Sequence, residues 1–377
     1  MRRLTAINFI NQFFWAMIVV TLPLYLIEKD INVEEIGLIL SIIPIAMIVL
    51  RTLLSMIADI IGTKLFFVIA AVMQMLTSAA YMFAVAPMQF ALGKLFEGGS
   101  YSFFWAVDRT AIFKTAKNKG VEAAKMTSVR MVGAALGLVL GGLIAREFSF
   151  EAVYHLLVFL GAVSFVLAIT RHNTEGQKER ILETLDLKNK GPLYWKASLA
   201  MASALAFISL FFSFLLPVFM DLSLHLDYAT IGFYSMFFFA GLGTGSYFAT
   251  KKGLDEKKLY FLQLLTLPVI VILPYTGIYF PLFLLVAGLG SGVVFGMYEE
   301  LIAETTVREK NVSTSVALLH IPGRFVEFVL LAASGFIFMY LGSEALFILC
   351  AVLLCIFIVL TKQLLAKLGP IKKGAKS

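Results

Sequence analysis

Apolar residues in this chain come in long runs separated by short polar breaks. Twelve runs stand out: 4–27, 35–58, 65–86, 88–110, 126–146, 152–170, 194–219, 228–249, 259–276, 279–301, 314–341 and 343–366. Each is near the roughly 20 residues that a helix needs to cross about 30 Å of hydrocarbon. None shows the sustained period-two alternation of a barrel strand. Lipid offers no partner for backbone amides, so runs of this kind are expected to be helices that satisfy their own hydrogen bonds. One stretch breaks the pattern, RHNTEGQKERILETLDLKNKGP from Arg171 to Pro192, polar and mixed in charge. It predicts a first six-helix bundle over 1–170, a linker over 171–192, a second bundle over 193–366 and a basic tail over 367–377.

Composition agrees. Apolar residues make up 60% of the chain, charged residues 15%, and the mean hydropathy is +0.90. A soluble domain is nearer 45–50% and 25%, so an integral membrane protein is expected. The first run is too long for the apolar core of a signal peptide and reads as the first span. Cys350 and Cys355 share the last run and read as small buried hydrophobes, without a disulfide framework.

A net charge of +7 raises the question of nucleic acid, and the placement of the charge answers it. Lysines and arginines gather at the N-terminus, in the central linker, in the breaks at 111–125, 250–258 and 302–313, and in the tail. The alternate breaks hold only Lys29 and Arg146, alongside Glu28, Asp30, Glu34, Glu35, Glu147, Glu151, Asp221, Asp227 and Glu344. That asymmetry predicts a multi-pass protein of the cell membrane with both termini cytoplasmic, its basic loops on anionic lipid. No nucleic-acid partner is expected.

The two halves resemble each other. Leu22–Gly37 and Leu216–Gly232 both run from Leu-Pro through an acidic break to Ile-Gly. Gly99-Ser100 and Asp108 recur as Gly290-Ser291 and Glu299, each 191 residues on. Repeats at this spacing predict two pseudo-symmetric bundles related by an axis along the membrane normal.

Three motifs then make the chain resemble the major facilitator superfamily of secondary transporters, including its efflux and antiporter members. The family's loop after the second span, G-x-x-x-D-[RK]-x-G-[RK]-[RK], corresponds to Ser55 through Lys64. Asp59, Gly62 and Lys64 fit it; Ser55 and Ile60 do not. The R-x-x-x-G of the fourth span corresponds to Lys94 and Gly98, with lysine for arginine. The fifth-span antiporter motif is matched by Gly133, Gly137, Gly141 and Gly142 but lacks its proline. The resemblance implies twelve spans in two bundles, a gate at Asp59, Gly62 and Lys64 together with Asp108 and Arg109, and a cavity lined by spans one, four, seven and ten. Glycines four apart lie along one helix face and let helices approach closely, so Gly98 and the fifth-span set also read simply as packing positions.

Ionisable groups inside spans are costly and therefore point to function. Arg51, Lys94, Glu97, Arg130, His320, Arg324 and Glu327 lie within the runs. Lys94 with Glu97 and Arg324 with Glu327 are spaced i, i+3 on their helices. Either pair can be a self-neutralising couple, or a substrate and proton site. Asn11 and Gln12 add polar groups to the first span, and Gly288, Gly290, Gly292 and Gly296 are expected to thin the cavity wall in the tenth.

No G-x-x-x-x-G-K-[ST] motif points to ATP-driven transport, and no H-E-x-x-H or G-x-S-x-G to a membrane enzyme. The expected protein is a monomeric secondary active transporter for a small solute. It would work by alternating access, coupled to a proton or another ion, with Glu97 as proton carrier and without cofactor or metal. A non-transporting receptor or a lipid-handling protein is the alternative, with a membrane-embedded enzyme behind it.

Overall fold

The computed structural model describes the backbone over residues 1–115, 119–172, 190–250, 256–306 and 312–368. Side chains are described over 1–58, 60–112, 125–172, 190–249, 258–302, 305–306 and 314–364. Most of the central linker, the end of the basic tail and the side chain of Asp59 fall outside these ranges.

Among the described residues the regular structure is all helical. The first half comprises α1 (Arg2–Glu28), α2 (Val33–Leu40), α3 (Ile42–Ile61), α4 (Lys64–Phe83), α5 (Pro87–Thr115), α6 (Lys119–Glu147) and α7 (Phe150–Ile169). The second comprises α8 (Pro192–Ile208), a π-helical segment (Ser209–Leu215), α9 (Leu216–Leu222), α10 (Tyr228–Thr250), α11 (Glu256–Ile272), α12 (Phe280–Thr306), α13 (Val312–Leu341) and α14 (Ser343–Leu368). Helices α2 and α3 form one span with a break at Ser41, and α8, the π segment and α9 form another. The chain thus makes twelve transmembrane passes in two six-helix bundles. The face where α1 begins is called the Met1 face below, and the other the far face.

Ten passes are long and apolar enough to cross a membrane by composition. The other two are α5, which carries Lys94, Glu97, Asp108 and Arg109, and α10, which is rich in glycine and tyrosine. Along α3 the division is plain. Ile45, Val49 and Leu53 are exposed, whereas Met47, Arg51 and Ser55, two residues on and so about 200° round the helix, are buried. The exposed stripe faces lipid and the buried side packs on α5 of the same bundle and α13 of the other.

The bundles meet on the far face through two sets of glycines. On one side α6 meets α10: a Cβ at Gly142 would lie 2.3 Å from the Tyr228 carbonyl oxygen, and one at Gly232 2.4 Å from that of Leu138. On the other α2 meets α13: a Cβ at Gly37 would lie 2.7 Å from the Leu331 carbonyl oxygen, and one at Gly335 2.2 Å from that of Val33. Gly37 and Gly232 are the glycines that close the two Ile-Gly repeats, so the pseudo-twofold builds the same seal twice.

Candidate functional site

Inside the first bundle α5 presents a line of polar groups to α1, α4, α6 and α7. Lys94 Nζ donates to Glu97 Oε2 at 2.9 Å, and the Tyr81 hydroxyl donates to the same oxygen at 2.6 Å. Glu97 is wholly buried and Lys94 nearly so. The other Glu97 oxygen, Oε1, and the hydroxyls of Tyr101 and Tyr154 are buried without a well-formed hydrogen bond, with the Tyr101 hydroxyl at the edge of hydrogen-bonding reach of the carboxylate and that of Tyr154 beside Thr21. Rings close the cluster toward the far face, with Tyr81 against Phe90 and Tyr154 at 6.3 and 5.5 Å. The i, i+3 pair is therefore formed, but the polar groups around it are not all satisfied.

Toward the Met1 face the same helix carries a second group. Arg130 of α6 pairs with Asp108, Arg130 Nε donates to Asn8 Oδ1 at 2.7 Å, and Asn8 Nδ2 donates to Asp108 Oδ1 at 2.9 Å. The Arg130 guanidinium also lies 4.9 Å from the centroid of the Trp105 ring. Every charge in this triangle has a partner inside the first bundle. Asn11 accepts from Gln74 Nε2 at 2.9 Å, and Gln12 is buried beside it on α1.

Arg109, one residue on, points the other way. Its Nη2 donates to both carboxylate oxygens of Glu299 on α12 at 2.7 Å, joining the bundles near the Met1 face. These side chains are 24% and 51% exposed, so water reaches this junction, unlike the glycine seals. Gly62 ends α3 with φ of 90°, a left-handed conformation that glycine adopts readily, and Lys64 begins α4.

In the second bundle the other i, i+3 pair is also formed: Arg324 Nη1 donates to Glu327 Oε2 at 2.6 Å. The remaining oxygen, Oε1, accepts from the Ser209 hydroxyl at 2.6 Å. Ser209 opens the π segment, and such segments insert an extra residue per turn and often mark functional positions. Three residues on, Phe212 stacks on Trp15 of α1 across the bundle interface, with centroids 5.9 Å apart. His320 is buried with Nδ1 against the Val316 carbonyl oxygen at 2.6 Å, its ring 5.8 Å from that of Tyr298. Arg51 of α3 comes to this cluster from the first bundle; its electrostatic neighbours are Arg324, Tyr298, Arg109 and Glu299.

The motif glycines sit where helices touch. Gly98 meets Ala46, Gly133 and Gly137 meet the Phe9 and Phe13 carbonyl oxygens, Gly141 meets Val20 and Thr21, and Gly142 crosses to α10. The α12 glycines differ from expectation. Gly288 and Gly292 press on α10 backbone, Gly296 on Ala249 of α10 and Gly290 on Thr266 of α11, so they hold the second bundle together rather than thinning a cavity wall.

Sequence reasoning put Lys94 with Glu97 and Arg324 with Glu327. It did not include Tyr81, Tyr298 or Glu299 among the site residues, nor the link from Ser209 to Glu327. Only the match of Glu299 to Asp108 in the repeat marked one of them.

The family model of the Major Facilitator Superfamily matches residues 4–319. Among solved structures, that of a point mutant of the nucleoside transporter NupG superposes with a TM-score of 0.73 at 14% identity, covering 96% of this chain and 98% of that one. At that identity the likeness is one of fold. No curated protein matches the chain.

Proposed function

Because the chain belongs to the Major Facilitator Superfamily, and is a secondary transporter rather than an enzyme, we propose that it moves a small solute by alternating access with proton coupling at Glu97. The two bundles rock about their interface. Both the far-face glycine seals and the Arg109–Glu299 junction are closed in this arrangement, and rocking would open one of the two while the other stays shut. The Met1 face is the cytoplasmic one, in keeping with the basic breaks that border it, and the working unit is a single chain.

The observation that carries the coupling is the half-satisfied Glu97. A carboxylate held by Lys94 and Tyr81 through one oxygen, with the other oxygen buried and lacking a well-formed hydrogen bond, has a place for a proton. It loses only part of its bonding when it takes one. Rocking changes how wet its surroundings are, and with that the proton affinity of a carboxylate. Glu327, held by Ser209 and Arg324, is the second candidate, with His320 one turn from Arg324 as a relay.

The test uses proteoliposomes holding a pH-sensitive dye and no ATP, with carboxylates, amines and nucleosides offered in turn. Solute-dependent proton flux is expected from the wild type. Glu97→Gln should lose that flux and still exchange labelled solute for unlabelled. Gradient-driven accumulation that survives in Glu97→Gln would overturn Glu97 as the carrier. A single cysteine at His225, in a background lacking Cys350 and Cys355, should label with an impermeant reagent in intact cells; protection there would reverse the sidedness.

A further inference from the structure

Among the described residues, the basic side chains deep within the spans pair off with one left over. Lys94 has Glu97, Arg130 has Asp108, Arg109 has Glu299 and Arg324 has Glu327. Arg51 is 7% exposed and forms no hydrogen bond or ion pair among the described residues, and its Nε is buried and bare. Placing a guanidinium inside a protein without a partner costs several kcal/mol. Such a group persists where something absent from the protein itself completes it.

The neighbours narrow what that is. Arg324 and Tyr298 are electrostatic neighbours of Arg51, and the Arg324 Nε and the Tyr298 hydroxyl are likewise buried without a partner among the described residues. All three are able to donate, so the missing partner is an acceptor. Arg324 and Arg109 are already neutralised, which leaves one positive charge to balance and fits a monoanion better than a doubly charged phosphate. A carboxylate is a planar monoanion that takes the guanidinium fork through two oxygens. The adjoining surface is aromatic, since Glu327 reaches the π segment through Ser209, and Phe212, three residues further along it, stacks on Trp15.

We infer that Arg51, with Arg324 and Tyr298, binds the carboxylate of a small organic monoanion at the interface between the bundles. Arg51 comes from one bundle, and Arg324 and Tyr298 from the other, so the anion ties the halves together. That this anion is the cargo rests on the transport reading above.

The probe is phenylacetate, with phenylacetamide as its neutral counterpart, added to the purified full chain in detergent while thermal unfolding is followed. Phenylacetate should raise the unfolding temperature and phenylacetamide should not. Arg51→Met should unfold at a higher temperature than the wild type without ligand, because an unpaired charge is gone, and should bind phenylacetate at least about tenfold more weakly. Arg51→Lys should fall between them.

Four results would each overturn the site. They are equal protection by the amide, no protection by phenylacetate, loss of ligand-free stability in Arg51→Met, and stronger protection by inorganic phosphate or phosphatidylglycerol. Phenylacetate counterflow in proteoliposomes separates the two claims. Arg51-dependent binding without counterflow keeps the site and removes the transport reading; counterflow unaffected by Arg51→Met does the reverse.

Discussion

Gly142 of α6 and Gly232 of α10 are packed so closely that a Cβ on Gly142 would lie 3.1 Å from the Gly232 Cα and 2.3 Å from the Tyr228 carbonyl oxygen. Both obstructing atoms belong to backbone, which cannot swing aside as the end of a side chain can. The far-face seal is therefore steric, whereas the Met1-face junction at Arg109 and Glu299 is a partly hydrated ion pair.

Gly232→Val should wedge this seal open. A single cysteine replacing Phe239, which is 4% exposed and packs on Trp15, should then react faster with an impermeant maleimide applied from the far side. The same reporter with Gly99→Ala is the control, since a Cβ at Gly99 meets only Met73 at 3.8 Å. Equal labelling of both variants, with normal folding, would mean the glycines do not hold the seal.

The Arg109–Glu299 bridge should contribute modestly. Partly exposed pairs are worth about 0.2–1 kcal/mol, and a double-mutant cycle with Arg109→Gln and Glu299→Gln should return a coupling in that range. It should shrink as salt is raised. A coupling insensitive to salt would place the pair in drier surroundings than its exposure indicates.

Asp108, Asn8 and Arg130 should behave in the opposite way. Asp108→Leu leaves the Arg130 guanidinium without its carboxylate and should destabilise the protein by about 3–5 kcal/mol; Arg130→Met, which strands a wholly buried carboxylate, should do the same. The double replacement should recover a large part of that loss, as read by denaturation in detergent. If the double variant is as unstable as the sum of the singles, the triangle is not one electrostatic unit.

On the far face, Asp227 caps α10. It accepts from the Thr230 hydroxyl, and the amides of Ala229 and Thr230 donate to it at 3.1 Å. These bonds, the Thr230 hydroxyl first, hold its carboxyl below the ordinary carboxylate range. A depressed pKa means a contribution present at neutral pH and lost as pH falls through the lowered value. Hydrogen exchange at Ala229 and Thr230, corrected for intrinsic rate, should thus quicken in acid, and Asp227→Ala should abolish the pH dependence. Protection that persists unchanged in acid would contradict this.

The sequence by itself determined the class of molecule. Runs of about 20 apolar residues have one stable form in lipid, because an unpaired amide there costs several kcal/mol. The repeat from Leu22 to Gly37 and from Leu216 to Gly232 placed the two halves, and local spacing paired Lys94 with Glu97 and Arg324 with Glu327. Only the tertiary structure decided what lies across from each residue. It paired Asp108 with Arg130 inside one bundle and its repeat partner Glu299 with Arg109 between bundles. It turned the α12 glycines onto α10 and α11, and it left Arg51 buried and, among the described residues, unmatched. Helical period fixes which face a residue occupies, but a neighbour 100 or 200 residues away comes from helix packing, which no local spacing encodes.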